Sequence, residues 1–249
     1  MQLQDDLMPR NPYEMDGGRA WKADADKMFT PADAVIVFQN LEKIDLLPPR
    51  TEALHIASIS SNVPTLEIGV FDALQAQRAG KVTFIAGDLT HLEIGKDDER
   101  FKREGFHIVQ WDAQHLPLVD HTLHVIYDKK GALWHFAKKE MPQVEFLEIL
   151  RQLKDKLKPS GIIVIDNFDY NEVDEFFFND WGFLAGQEQE RYMNPYQTEP
   201  STVQTITRTY GEWIWKKISK IFGIIDVGDG IHSVRVLKVK PSIKSLLGV

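Results

Sequence analysis

Apolar positions recur along this chain with two periods, and the switching between them predicts the architecture. Over 31–46, Ala34, Val35, Val37, Phe38, Leu41 and Ile44 fall at helical spacing, with Thr30 placed as N-cap and Pro31 in the first helical position. Leu47-Pro48-Pro49-Arg50 stops that helix. Short β-like runs then alternate with helical stretches. Strands are predicted at 53–58, 81–86, 106–111, 122–127 and 161–166, and helices at about 64–78, 96–104, 131–139 and 144–157. The last of these helices puts Phe146, Leu147, Leu150, Leu153 and Leu157 on one face, and Lys158-Pro159-Ser160-Gly161 is read as its stop. Strands separated by helix-length segments need right-handed crossovers, which build a doubly wound, mostly parallel α/β sheet. The C-terminal part breaks the alternation. A helix near 203–220 precedes FGIIDVGD and HSVRVLKVK, which read as an antiparallel hairpin closed tightly at Gly228-Asp229-Gly230. The hairpin brings the sheet to seven strands.

Residues 1–30 are polar and glycine-containing, so 1–50 reads as an N-terminal arm plus one helix, a candidate lid. Residues 51–249 read as one Rossmann-like domain carrying an aromatic-rich insertion at about 168–215. Composition narrows the function. At 43% apolar and 27% charged residues the chain has an ordinary globular balance. No apolar run approaches membrane-spanning length, and the first residues carry early acids with no apolar core, unlike a secretory signal. The absence of cysteine removes disulfides, thiolate zinc sites and thiol nucleophiles, and fits a cytoplasmic location. A net charge of −8 argues against nucleic acid as a partner, because backbone binding needs clustered Lys and Arg. The basic run Trp215-Lys216-Lys217-Ile218-Ser219-Lys220 is read as the wet face of a helix.

Residues 105–166 bring a family into view. The segment from Val109 through Trp111-Asp112-Ala113 and His115-Leu116-Pro117-Leu118 to Tyr127-Asp128 resembles the class I S-adenosylmethionine-dependent methyltransferases. So do Ile149-Leu150-Arg151-Gln152-Leu153, the turn Leu157-Lys158-Pro159-Ser160-Gly161 into strand five, and the closing hairpin. The resemblance covers roughly 50–166 and 222–240. It implies a cofactor bound beyond the carboxyl ends of the strands, where strand order reverses. It further implies Asp112 and Ala113 beside the adenine and Asp88 on the ribose hydroxyls, although Asp88 stands about two residues later than the family's acid. For each aspartate the plainer alternative is a solvated residue at a strand-to-loop junction.

The cofactor loop departs from the family. On its Asp-x-Gly-x-Gly-x-Gly turn this chain lays His55, Ala57, Ile59 and Ser61. Glycine allows positive φ and close backbone approach, whereas β-branched Ile59 resists the first and obstructs the second near the methionine end. Ala57 and Ser61 are small. Ser58, Ser60, Ser61 and Asn62 offer hydrogen bonds just before Pro64, where they would cap a helix and hold the cofactor carboxylate. Two readings stay open: a rebuilt loop with Ala57, Ser58 and Ser61 at the cofactor, or a turn that binds nothing.

Two constellations suit methyl transfer. Asp128 after strand four, with Asp166 and Asn167 after strand five, resembles the Mg²⁺ ligands of catechol-type O-methyltransferases. The family's lysine lies three residues beyond its first Asp, whereas Lys129 and Lys130 stand one and two beyond Asp128. His135 falls where many small-molecule methyltransferases carry a histidine, and it suits proton removal from an acceptor. The alternatives are capping and loop hydrogen bonds for the first set and a backbone-bonded histidine for the second. His121 and His124 span a turn and a strand start, a poor zinc pair. No Asn/Asp-Pro-Pro-Tyr/Phe follows strand four, which disfavours DNA amino methylation, and no glycine-rich turn supports a nicotinamide reductase. Aromatics such as Phe176, Phe177, Phe178 and Trp181 make 168–215 a lid over a small-molecule acceptor, a homodimer surface or an auxiliary core. The expectation is a methyltransferase for a small-molecule O- or N-acceptor. The rival is a protein of that fold that has lost cofactor binding and serves as a binding or regulatory subunit.

Overall fold

A computed structural model describes residues 31–61, 64–89, 99–129, 131–167 and 200–241. Its elements are α1 (Pro31–Lys43), β1 (Leu54–Ser58), α2 (Thr65–Gln77), β2 (Val82–Asp88), β3 (Phe106–Gln110), β4 (Leu123–Asp128), α3 (Ala132–Lys138), α4 (Gln143–Lys156), β5 (Leu157–Asp166), α5 (Thr202–Tyr210), α6 (Trp213–Ile218), β6 (Phe222–Val227) and β7 (Val234–Val239). The sheet runs β3-β2-β1-β4-β5-β7-β6. Strands β1 to β5 pair in parallel, and β7 pairs antiparallel with both β5 and β6. The seven-stranded doubly wound sheet with an antiparallel C-terminal pair is the architecture that the hydrophobic pattern predicts.

Because side chains alternate across each strand, every strand feeds two cores. Ile56, Phe84, Val125, Tyr127 and Val164 face α1 and α2, while Ala57, Ile126, Ile163, Ile165 and Leu237 face α3 to α6. Helix α1 belongs to the first layer. Its Ala34, Val37, Phe38 and Leu41 are buried, and the Phe38 ring lies 5.7 Å from that of Tyr127 on β4. Asp33 meets His232 at 3.0 Å, tying α1 to the β6–β7 connection. At its other end Glu42 receives Arg78 Nη1 at 2.6 Å, and Arg78 Nη2 donates to the carbonyls of Pro48 and Pro49.

Four local expectations change. The helix expected at 203–220 breaks into α5 and α6 at Gly211, whose φ of +78° ends a helical turn. The hairpin connection is longer than a tight turn, since a 3₁₀ turn at Gly230–His232 intervenes. Of 96–104, the described part holds only a 3₁₀ turn at Glu99–Phe101. Lys158-Pro159-Ser160-Gly161 does not separate α4 from β5: the strand starts at Leu157, and its register against β4 jumps from Leu123↔Leu157 to Val125↔Ile162. That irregularity takes Pro159 out of the ladder, where its missing N–H costs nothing. No helix among the described residues is long and apolar enough to cross a membrane.

Candidate functional site

Strand order reverses between β1 and β4, so the crevice beyond their carboxyl ends is where an open α/β sheet offers a site. The chain leaving β1 bridges the strands on either side. Ile59 N–H donates to Tyr127 O on β4 at 3.3 Å, and Ser61 N–H donates to Gly87 O on β2 at 3.0 Å. Among the described residues, the non-glycine ones with positive φ are Asp45, His121 and Glu140, so none of 58–61 is left-handed and this turn runs without glycine. Ile59, 2% exposed, packs in the cluster that holds Ala57, Trp111 and Leu133. Ser58 Oγ donates to Glu67 Oε1 on α2 at 3.0 Å, both residues buried, so this serine fixes α2 against β1. Pro64 holds the N-cap position of α2 and provides no side-chain cap. Asn62 lies outside the described residues.

On the β2–β3 side, Asp88 is buried at the end of β2, and its carbonyl accepts Trp111 N–H at 2.9 Å. The Trp111 indole lies directly on Gly87, where a Cβ would fall 1.9 Å from Cε2. Asp112, with a side chain 42% exposed, accepts Gln114 N–H through Oδ1 at 2.8 Å and turns Oδ2 towards His115 Nδ1 at 3.5 Å. Ala113 behind it is buried.

On the β4–β5 side the acids serve the fold first. Asp128 is 1% exposed, and its Oδ2 accepts Leu133 N–H at 3.1 Å, holding the start of α3. Burial pushes its carboxyl up to about 7; the Leu133 and Ala132 amides pull it down, and Asp166 adds to the rise. Asp166 spends both oxygens on Thr202, Oδ2 on the backbone N–H at 3.1 Å and Oδ1 on the hydroxyl. Asn167 donates its N–H to Ser233 O. The expected magnesium centre finds no support here. Asp166 has its oxygens committed, and no group of three or more His, Cys, Asp or Glu suited to a metal exists among the described residues. His135 is half-buried on α3, its ring edge-on to Trp134 at 4.9 Å.

Reading the sequence missed Glu67, Trp111, Gly131 and Thr202. A glycine opening a helix marked Gly131; nothing in the pattern marked Thr202, which lies far along the chain from Asp166. Three buried side-chain atoms around the crevice lack a hydrogen-bond partner among the described residues: Ser61 Oγ, Trp111 Nε1 and Asp128 Oδ1. Two can donate and one carboxyl oxygen can accept, so their needs are those of a polar ligand. Of the aromatic-rich 168–215, residues 168–199 lie outside the described part. Tyr210 and Trp215 build the α5–α6 layer, donating to Met141 O and Thr207 Oγ1, and Trp213 is half-exposed under Lys217.

No protein-family model and no curated protein matches this sequence. Solved structures do. The chain is similar to a protein from Methanococcus maripaludis assigned as an S-adenosyl-L-methionine-dependent methyltransferase, with a TM-score of 0.57, 14% identity, and 94% of this chain and 97% of that one covered. It is also similar to the CMeT domain of the citrinin polyketide synthase, with a TM-score of 0.50 and 14% identity, covering 85% of this chain and 52% of that one. At such identities the likeness is one of fold. The chain has the S-adenosylmethionine-dependent methyltransferase fold that its resemblance implies.

Proposed function

We propose that the protein is an S-adenosylmethionine-dependent methyltransferase acting on the oxygen or nitrogen of a small-molecule acceptor in the cytoplasm. The observation that carries this reading is the set of orphaned polar atoms of Ser61, Trp111 and Asp128, which lie at or just beyond the carboxyl ends of β1, β3 and β4. When bound, the cofactor supplies a methyl group on a sulfonium. Asp112 takes the adenine amine through Oδ2, whose contact with His115 Nδ1 at 3.5 Å leaves a lone pair for a second donor, with Ala113 behind the ring. Asp88 takes the ribose hydroxyls, because a carboxylate accepts two donors. Ile59 N–H and Ser61 N–H, bonded to β4 and β2, fix the loop so that Ala57 and Ser61 line the ligand. His135, on the helix that starts beside Asp128, removes the acceptor's proton as the nucleophile is aligned.

One observation favours a second reading. Ile59 is buried where the family's glycines leave room, and Trp111 packs in the same cluster, as in a crevice filled by its own side chains. A methyltransferase-fold binding protein follows from that. Methyl-labelled cofactor offered with a panel of phenols, amines and carboxylic acids separates the two. The enzyme reading expects label transfer, reduced roughly 100-fold or more by His135→Ala and unaffected by a chelator. Absence of both cofactor binding and transfer to any acceptor favours the second.

A further inference from the structure

Asp128 has one oxygen in use and one waiting. Oδ2 holds α3 through Leu133 N–H, while Oδ1 is fully buried without a partner. Oδ1 lies on the side of Gly131: a Cβ there would fall 2.2 Å from Oδ1 and 2.9 Å from Ser60 Cβ. The carboxyl oxygen, the bare glycine and the loop after β1 thus meet at one point beyond the carboxyl end of β4. Asp166 sits close enough to act on Asp128 electrostatically, so two strand-end carboxylates favour a cation at that point.

A metal ion is disfavoured, since Asp166 is committed to Thr202 and no third His, Cys, Asp or Glu joins the two aspartates among the described residues. A sulfonium carries charge but no N–H or O–H to donate, whereas an ammonium carries charge and three donors. The geometry points to Asp128 Oδ1 as the acceptor for the α-ammonium group at the amino-acid end of the cofactor, an inference that rests on the function proposed above. Position 55, where the family has an acid, holds a histidine turned to other work. Its backbone N–H donates to His124 Nδ1, and its ring lies edge-on to the His124 ring at 5.3 Å. Asp128 takes over the carboxylate's place from the neighbouring strand. Its positioning is secured by α3, so the oxygen facing the ligand is held before the ligand arrives.

The test uses two ligands and one shape-preserving substitution. S-adenosylhomocysteine carries the ammonium group; 5′-methylthioadenosine keeps the adenine, ribose and sulfur and lacks the amino-acid end. Asp128→Asn retains an oxygen for Leu133 N–H and removes the charge. Equilibrium titration should show S-adenosylhomocysteine weakened about 10- to 100-fold by the substitution, as for a lost charge-assisted hydrogen bond, and 5′-methylthioadenosine changed less than about twofold. Equal weakening of both ligands, or of neither, overturns the assignment. A second comparison needs only folded wild-type protein. The deaminated analogue of S-adenosylhomocysteine should bind about tenfold or more weakly than the parent, and equal affinity overturns the assignment too. If the wild type binds neither ligand, the functional reading itself fails and the assignment falls with it.

Discussion

Replacing Asp128 by asparagine keeps the shape of the crevice and removes its buried charge, so the consequence for stability can be worked out. The carboxyl rises from an ordinary 3.8 to about 7, chiefly through burial. A carboxyl whose pKa is raised on folding binds more protons folded than unfolded between those values. Its protonation supports the fold below about pH 4, and that support is lost progressively as pH rises to about 7, the reverse of a salt-bridged aspartate. Three pH units at about 1.4 kcal/mol each make the full span about 4 kcal/mol, of which about 2–3 kcal/mol falls between pH 5 and pH 8. The Asp128→Asn variant has no such group. Urea unfolding of both proteins at pH 5, 6, 7 and 8 isolates this contribution, because every other titration cancels in the difference. The variant should gain about 2–3 kcal/mol on the wild type over that range. A difference that stays flat, or moves the other way, would refute the electrostatic account of the site. With the ligand assignment above, the same substitution stabilises the protein and weakens binding, as expected where a strained group serves function.

Thr202→Val strips a hydroxyl from a buried carboxylate and should cost about 1–3 kcal/mol in chemical unfolding, because Asp166 loses a donor it cannot replace. Gly131→Ala drives a methyl group into Asp128 Oδ1 and should cost about 1–3 kcal/mol while shifting the start of α3, visible as altered amide exchange at Leu133. Arg78→Met leaves the Pro48 and Pro49 carbonyls without their donor and Glu42 with Arg50 alone, and should destabilise by about 1–3 kcal/mol in urea unfolding; near-neutrality would show the network to be redundant.

The sheet was legible because strand and helix periods alternate cleanly, and because the apolar runs that read as strands are buried on both faces. The misreadings have local causes. Gly211 was a visible breaker inside an amphipathic run, and α5 and α6 stay packed on one core on both sides of it, so the period carries through the break. The β6–β7 connection looked tight from Gly228-Asp229-Gly230, but a 3₁₀ turn lengthens it to place His232 against Asp33 on α1, a contact beyond any local pattern. At the site, Asp88, Asp112, Asp128 and Asp166 were legible as acids at strand ends. Their partners were less so. Leu133 N–H is near Asp128 in sequence, whereas Thr202 reaches Asp166 only once the chain has returned to the sheet. The loop after β1 misled most. Glycine there is tied to positive φ, yet Ile59 and Ser61 bond straight across to β4 and β2 in ordinary conformations.

Whether that rebuilt loop holds a cofactor is decided most directly by calorimetric titration of the purified protein with S-adenosylmethionine and S-adenosylhomocysteine, repeated on Asp112→Ala. The account predicts binding in the micromolar range, a free energy of about −8 kcal/mol, weakened strongly by the substitution. Well-folded wild-type protein that binds neither ligand would contradict it, and Ile59 and Trp111 would then be the plugs of a closed crevice.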